Sequence, residues 1–571
     1  MLGMTEAQMT HERVDDIPVL LHVMHERLGF DQALDDLVPR HGNWLGLSMG
    51  QVMVTWLTHI LSECSHFMNP VREWANARPE SLSRLLGQTL RETDFTDDRL
   101  SEVVRTLSDN QLWHSLEASI SQQMIRVYRL PVKRIRLDTT TVSVDSAQAA
   151  SVLFQRGYSK DHRPDLPQLK VMLAALDPLG ALLAADVVPG NVADNGLYVP
   201  MIDRLLAQLD TRGLLFIGDS KMSALATRAH IAEREHAYLL PLAQVGQVPE
   251  QLAAWIAKAT GGDVALTRLR AEDDSPWGEG YEFQRPQSYQ PADGPERQWQ
   301  ERVLVVRSMR FAAAAQRGLQ QRLQRAETAI KDLTPPRARG HRQFTEEAPL
   351  RAAVQAILDK HAVSDLLSVS LKLDQQQRAV RAYAARPAHV EHTQRYVVSV
   401  RRKPAAIEAY EQTLGWRAYV TNMSRKQLPL AEAVQVYCDE WLIERDCQRL
   451  KGRTLSLSPL WLTREDHAIG LTRLLTLAAR VLALVEYDVR CQLHETQRTL
   501  TGLYTGQATR ATDRPTTERL LKAFDKIALV VIRTGSSVQR YLTALSPLQQ
   551  HILPLMHCPA TLYSQLAPDS S

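Results

Sequence analysis

The chain has 571 residues and a formal net charge of +3, and its 44% hydrophobic and 23% charged residues are typical of a globular protein. This composition excludes a disordered chain, a collagen-like repeat and a long coiled coil. The most apolar stretch, 470–489, contains Arg473, Arg480 and Glu486, so no run reaches the roughly 20 apolar residues of a membrane-spanning helix. We therefore expect a large, soluble, cytosolic protein without a membrane partner.

The first 130 residues carry apolar side chains at three- and four-residue spacing, which predicts helices. The spacing is clearest in 17–38 and 48–61, and Ser48 stands at the N-cap position of the second helix. Two more helices are predicted, one near Thr96 and one over 110–128. Residues 1–130 are therefore predicted to form a helical module.

Strand signals begin after Pro131. Residues 133–144 alternate and are rich in β-branched side chains, which predicts a strand. Two apolar runs, 169–176 and 181–188, flank Asp177-Pro178-Leu179-Gly180, whose Pro and Gly positions favour a type I turn and hence a β-hairpin. Helices and strands then alternate, with helices predicted over 196–210 and 222–235 and strands over 214–217 and 237–242. This order indicates an α/β fold.

The next segment, 245–405, has a mixed pattern. It contains short strand signals, a charged helix at 312–332 and a Pro- and Arg-rich loop that begins at Pro335. The α/β pattern then returns with a strand at 417–421 and one long helix from about 430 to 451.

We therefore predict an α/β core at 131–244 and 406–455, interrupted by a mixed, partly β insertion at 245–405. The remaining part, 456–571, is predicted to be a helical C-terminal module that could serve dimerisation.

Two aspartates occupy positions of chemical interest in the predicted strands. Asp138 lies inside the first strand, where a charged side chain is costly unless it faces solvent. Asp219 ends an apolar strand, and ligand-binding groups of α/β sheets gather at the carboxyl ends of strands. Each also has an ordinary interpretation, a solvent-facing side chain for Asp138 and a helix cap for Asp219.

A third carboxylate, Glu444, lies on the long predicted helix, where Tyr437, Glu440 and Lys451 would share its face. A charged face is most often simply solvated. Combined with the two aspartates, however, Glu444 would complete a set of hard oxygen donors suited to one or two Mg²⁺ ions. Such ions can activate water and stabilise the leaving oxygen of a phosphodiester, and Lys451 could hold a backbone phosphate.

At these residues the sequence resembles the DDE transposases of bacterial insertion sequences, in particular the superfamily whose third motif reads Tyr-x2-Arg-x3-Glu-x6-Lys. The segments 157–165 and 189–194 also resemble family segments. Glu440 is a departure, because Arg is usual at that position. The residues that match the family motifs are Asp138, Asp219, Tyr437, Glu444 and Lys451.

The resemblance implies a ribonuclease-H-like core in which Asp138, Asp219 and Glu444 are catalytic and bind Mg²⁺, with Mn²⁺ able to substitute. The reaction would be hydrolysis of the phosphodiester at the tips of the mobile element, followed by joining of the freed 3′-hydroxyl to target DNA. Tyr437 and Lys451 would contact the DNA end, and residues 1–130 would bind DNA. Double-stranded DNA and a second copy of the chain are thus the expected partners, in the bacterial cytoplasm at the nucleoid.

Two alternatives remain open. The first is a catalytically inactive, transposase-derived DNA-binding protein, against which the presence of all three carboxylates argues. The second is a phosphatase with an aspartate nucleophile on a strand. That chemistry requires a second Asp two residues after the first, where this chain has Thr140.

Overall fold

The computed structural model describes residues 8–40, 42, 44–145, 151–270, 274–338, 343–382, 387–439, 441–535 and 537–567. Glu440, the departure from the family motif, lies outside the described residues. The protein is a mixed α/β structure whose chain divides into two compact units. Unit 1 comprises Met1–Leu240, Ser288–Trp299 and Gln435–Ser571, and unit 2 comprises Pro241–Gln287 and Gln300–Val434.

The strands are β1 (Gln8–Arg13), β2 (Arg134–Ser143), β3 (Gln168–Asp177), β4 (Ala181–Pro189), β5 (Leu215–Gly218), β6 (Ala237–Pro241), β7 (Thr267–Arg270), β8 (Pro276–Tyr289), β9 (Arg297–Ser308), β10 (Leu367–Val380), β11 (His389–Arg402), β12 (Trp416–Thr421), β13 (Ala528–Thr534) and β14 (Ser537–Leu542).

The helices are α1 (Ile17–Leu21), α2 (Phe30–Leu37), α3 (Met49–Glu63), α4 (Asn69–Asn76), α5 (Pro79–Leu85), α6 (Asp97–Ser108), α7 (Asn110–Tyr128), α8 (Tyr198–Gln208), α9 (Leu225–Glu233), α10 (Val248–Thr260), α11 (Met309–Asp332), α12 (Glu347–His361), α13 (Pro404–Gln412), α14 (Leu430–Cys438), α15 (Trp441–Lys451), α16 (Glu465–Glu495), α17 (Thr517–Lys522) and α18 (Pro547–Leu555). A π-helical segment, His22–Arg27, follows α1.

The main sheet of unit 1 has the strand order β4-β3-β2-β5-β6. Strands β2, β3 and β4 are antiparallel neighbours, whereas β5 runs parallel to both β2 and β6. Every residue of β3 is buried, which explains its nearly continuous apolar sequence. The antiparallel pairing of β3 with β4 confirms the predicted hairpin.

Helix α16 is the buried core helix of unit 1. By length and composition it could cross a membrane, but 94% of its apolar window is buried inside the protein. Its charged side chains have partners inside the protein: Arg480 pairs with buried Glu117, Arg473 donates to the carbonyls of Leu107 (2.8 Å) and Ser108 (2.9 Å), and Glu486 pairs with Arg490 at 2.8 Å. The two arginines that interrupt this apolar sequence therefore tie α16 to the N-terminal helices.

The N-terminal region contains the predicted helices and one strand that was not predicted. The capping box at the start of α3 confirms Ser48 as an N-cap, since Ser48 Oγ accepts from the backbone N–H of Gln51 at 3.1 Å. Strand β1 pairs with β13, which in turn pairs with β14. The C-terminal region is therefore less helical than predicted, because these strands are stabilised by partners from the far end of the chain.

Unit 2 contains a sheet portion and a helical layer. Strand β9 lies between β12 and β8, and β7 pairs with β8. The long hairpin of β10 and β11 packs at its base against α11. This small core includes Leu319, Leu323, Ile330, Leu350 and Val398.

Candidate active site

Asp138 and Asp219 lie side by side on neighbouring strands of the main sheet of unit 1, Asp138 within β2 and Asp219 directly after β5. The parallel register of β2 and β5 pairs Leu137 with Gly218, so the next residue of each strand is one of the two aspartates. Neighbouring strands are about 4.8 Å apart. Both carboxylates line one small pocket, together with Tyr437 and Ile443.

The Asp219 carboxylate is held by three donors. Its Oδ1 accepts hydrogen bonds from the Tyr198 hydroxyl (2.7 Å) and from the backbone N–H groups of Lys221 (2.9 Å) and Met222 (3.3 Å). The Met222 side chain packs closely over Gly218, where a Cβ would lie 2.5 Å from the Met222 sulfur. The Asp219 side chain is therefore oriented before any ligand binds.

The Asp138 carboxylate is partly buried and lies close to both a cation and an anion. Burial raises the pKa of Asp138, while the Lys160 ammonium, 3.2 Å from Oδ1, and the Thr139 backbone N–H, 2.7 Å away, oppose this rise. The negative charge of Asp219 raises the pKa of Asp138 further. Two carboxylates that repel each other in one pocket have the chemistry of a cation site.

The helix predicted from about 430 to 451 is two helices, so the prediction of one continuous helix is wrong. The buried guanidinium of Arg136, on β2, donates to the carbonyls of Val436 and Tyr437, the latter at 3.5 Å. Asp439 lies in a turn, and its carbonyl accepts from the Leu442 backbone N–H at 3.1 Å, three residues later, instead of the four-residue spacing of an α-helix. Tyr437 therefore lies on α14, whereas Glu444 lies on α15.

Glu444 is exposed, although its neighbour Ile443 lines the aspartate pocket. Helix α15 lies alongside the pocket, and its Cys447 is close enough to feel the Asp138 charge. Burial raises the pKa of the Cys447 thiol, and the negative charge of Asp138 raises it further. In the part of the chain that the structure describes, no group of three or more His, Cys, Asp or Glu side chains could hold a metal ion together. The two aspartates fit a divalent cation, and Glu444 would have to turn toward them to become a third ligand.

Lys451, at the end of α15, is engaged by another residue. Its Nζ donates to Asp161 Oδ1 at 2.6 Å, and Asp161 directly follows the Lys160 that contacts Asp138. The sequence predicted no role for Lys160, Asp161 or Tyr198. The only signal for Lys160 and Asp161 was the resemblance of segment 157–165 to family sequences, because no spacing pattern links any of these residues to the carboxylates.

Comparison with known proteins shows the family of the chain. Residues 133–479, more than half of the chain, match the family model described as the transposase DDE domain. No curated protein matches significantly. Among solved structures, the chain is similar to piggyBac transposase in a cryo-EM synaptic complex with hairpin DNA, with 8% identity and a TM-score of 0.34 over 83% of this chain and 75% of that chain. The chain belongs to the DDE transposase family.

Proposed function

We propose that this protein binds the ends of a bacterial insertion sequence, hydrolyses the phosphodiester at its tips and joins the freed 3′-hydroxyl ends to target DNA. The observation that carries the proposal is the pair Asp138 and Asp219 at neighbouring strand positions, inside the span that matches the transposase DDE domain. Paired carboxylates at a strand edge are suited to divalent metal ions and hence to phosphodiester chemistry.

Asp138 and Asp219 would hold the divalent cation, Mg²⁺ with Mn²⁺ able to substitute, and Glu444 would complete the catalytic set. Bound metal ions supply Lewis-acid stabilisation of the attacking and leaving oxygens. Tyr198 fixes the Asp219 carboxylate through its 2.7 Å hydrogen bond, which keeps that ligand oriented. Lys451 would hold a backbone phosphate of the DNA end, and Tyr437 would contact the same end.

The proposed architecture is a ribonuclease-H-like core formed by 131–244 and 406–455, with 245–405 as an insertion. It is supported by the strand sequence, because Asp138 lies on the first strand of the main sheet of unit 1 and Asp219 follows the fourth. In this proposal 1–130 reads double-stranded DNA and 456–571 contributes to a homodimer that brings two ends together. The protein would act in the cytoplasm, at the nucleoid.

The test is cleavage and strand transfer on a labelled duplex that carries the element's own end, read from the genome beside the coding region. We compare the wild type in Mg²⁺ with Asp138→Asn and Glu444→Gln. Glu495→Gln, which changes an exposed glutamate at the end of α16, is the matched control. We expect the wild type and the control to nick at the tip, and both active-site variants to bind the duplex without cutting it.

One result would overturn the proposal in favour of the inactive, DNA-binding relative: all four proteins bind the duplex and none cuts it with Mg²⁺ or Mn²⁺. Cutting by Glu444→Gln at the wild-type rate would instead remove Glu444 from the catalytic set. The second outcome is informative because Glu444 is exposed in this structure.

A further inference from the structure

The segment 157–165, here called the counter-charge loop, is anchored across the end of β2. At its start, Gly157 approaches the backbone of Gly190 so closely that a Cβ would lie 2.5 Å from the Gly190 carbonyl oxygen. The Lys160 backbone N–H donates to Thr141 Oγ1 at 2.9 Å. The loop therefore has a defined position beside the two aspartates.

Lys160 places a positive charge beside the Asp138 carboxylate, where a bound metal ion would lie. Its Nζ lies 3.2 Å from Asp138 Oδ1 and 3.0 Å from Thr139 Oγ1, and it also donates to the Thr139 carbonyl. A Mg²⁺ ion binds a carboxylate oxygen at about 2.1 Å, so an ion on Asp138 would lie within a few ångströms of this ammonium. The two cations therefore compete for one carboxylate.

Asp161 places a negative charge beside the Lys451 ammonium, where a DNA phosphate would bind. Its Oδ1 accepts from Lys451 Nζ at 2.6 Å, while Oδ2 accepts from the hydroxyls of Ser143 (3.3 Å) and Ser458 (3.4 Å). The Asp161 and Lys451 side chains are only 17% and 22% exposed, so the pair is partly shielded from solvent. A DNA phosphate on Lys451 would have to replace this carboxylate.

We propose that Lys160 and Asp161 are further active-site residues, an internal cation and an internal anion that in the free protein take the places of the metal ion on Asp138 and of a DNA phosphate on Lys451. This inference rests on the proposed function. Metal binding displaces Lys160, and DNA binding displaces Asp161.

The DNA side is tested with Asp161→Asn and a fluorescent duplex of arbitrary sequence, titrated in EDTA over a range of salt concentrations. Freed from Asp161, Lys451 can neutralise one more phosphate. We expect tighter binding and a steeper dependence of log affinity on log salt, by about one unit of slope. Asp165→Asn is the matched control, because Asp165 lies in the same loop but pairs with Arg163 at 2.8 Å. It should leave the slope unchanged.

The metal side is tested with Lys160→Met by titrating Mn²⁺ without DNA and following free Mn²⁺ by electron paramagnetic resonance. We expect several-fold tighter binding in this variant and wild-type affinity in Lys160→Arg, which retains the charge. Arg163→Met, an equal loss of charge from an exposed site in the same loop, should also bind like the wild type. Circular dichroism establishes that each variant is folded.

Unchanged or weaker Mn²⁺ binding by folded Lys160→Met overturns the inference, as does an unchanged salt slope for Asp161→Asn. These measurements need no turnover. If the wild type nicks DNA, and Lys160→Met and Asp161→Asn bind Mn²⁺ and DNA as the wild type does, only this inference is overturned. A wild type that never cuts overturns the proposed function.

Discussion

Arg136 is the buried link between the strand that carries Asp138 and the helix that carries Tyr437. Its guanidinium is 3% exposed, and its Nε donates to Asp177 Oδ1 at 3.2 Å. Arg136 also donates to the backbone carbonyls at the end of α14. Arg136→Met replaces the charged guanidinium but retains an unbranched apolar stem. It leaves the Asp177 carboxylate, which is 1% exposed, without its cation.

Removal of one partner of a buried ion pair costs about 3–5 kcal/mol, because the remaining charge stays buried without compensation. We expect Arg136→Met to lower the free energy of local unfolding of β2 and β3 by this amount. Asp177→Asn should also be destabilising. The double variant no longer contains an isolated charge, so its cost should be about 1–3 kcal/mol smaller than the sum of the two single costs.

The assay is native-state hydrogen exchange of the β2 and β3 amides, which reports the free energy of local opening. Lys133→Met, an exposed cation next to β2, is the control and should have an effect within about 0.5 kcal/mol. The reasoning is refuted if Arg136→Met costs less than about 1 kcal/mol, or if the two single effects are additive.

Three further predictions concern individual side chains. Tyr198→Phe removes the 2.7 Å bond to Asp219 and should weaken Mn²⁺ binding about ten-fold in a folded protein, whereas unchanged affinity would contradict it. Burial raises the pKa of Asp446 from 3.8 to about 8, so the folded state binds its proton more tightly and loses about 1.4 kcal/mol of stability per pH unit as pH rises between these values. In urea unfolding, the free energy of unfolding of Asp446→Asn should rise relative to that of the wild type by this amount for each pH unit of increase. A difference between the two proteins that does not change with pH would argue against the prediction. Arg480→Met breaks one of the two ion pairs of buried Glu117, which keeps Arg204 at 2.8 Å, so it should cost about 1–3 kcal/mol in thermal or urea unfolding. A cost near zero would be inconsistent with this pairing.

Local sequence signals were sufficient for the strands that carry the aspartates. Alternation of β-branched residues predicted β2, and two apolar runs around a Pro–Gly turn predicted the β3–β4 hairpin. Asp138 lies within β2 and Asp219 directly follows β5, and the proximity of two such residues is expected when their strands are parallel neighbours. These features depend on residues that are near one another in sequence or on the general rules of α/β sheets.

Only the tertiary structure decided where the helix before Glu444 ends. It also decided that Lys160 is the cation paired with Asp138 and that Asp161 is the anion paired with Lys451. The helix pattern continues through 430–451, but α14 ends where Arg136, a strand residue 300 positions earlier, donates to its last carbonyls. Likewise β1 pairs with β13 at the other end of the chain. A sequence pattern reports which face of an element is apolar, whereas the partner of a buried charge or an unpaired carbonyl is set by elements far away in the chain.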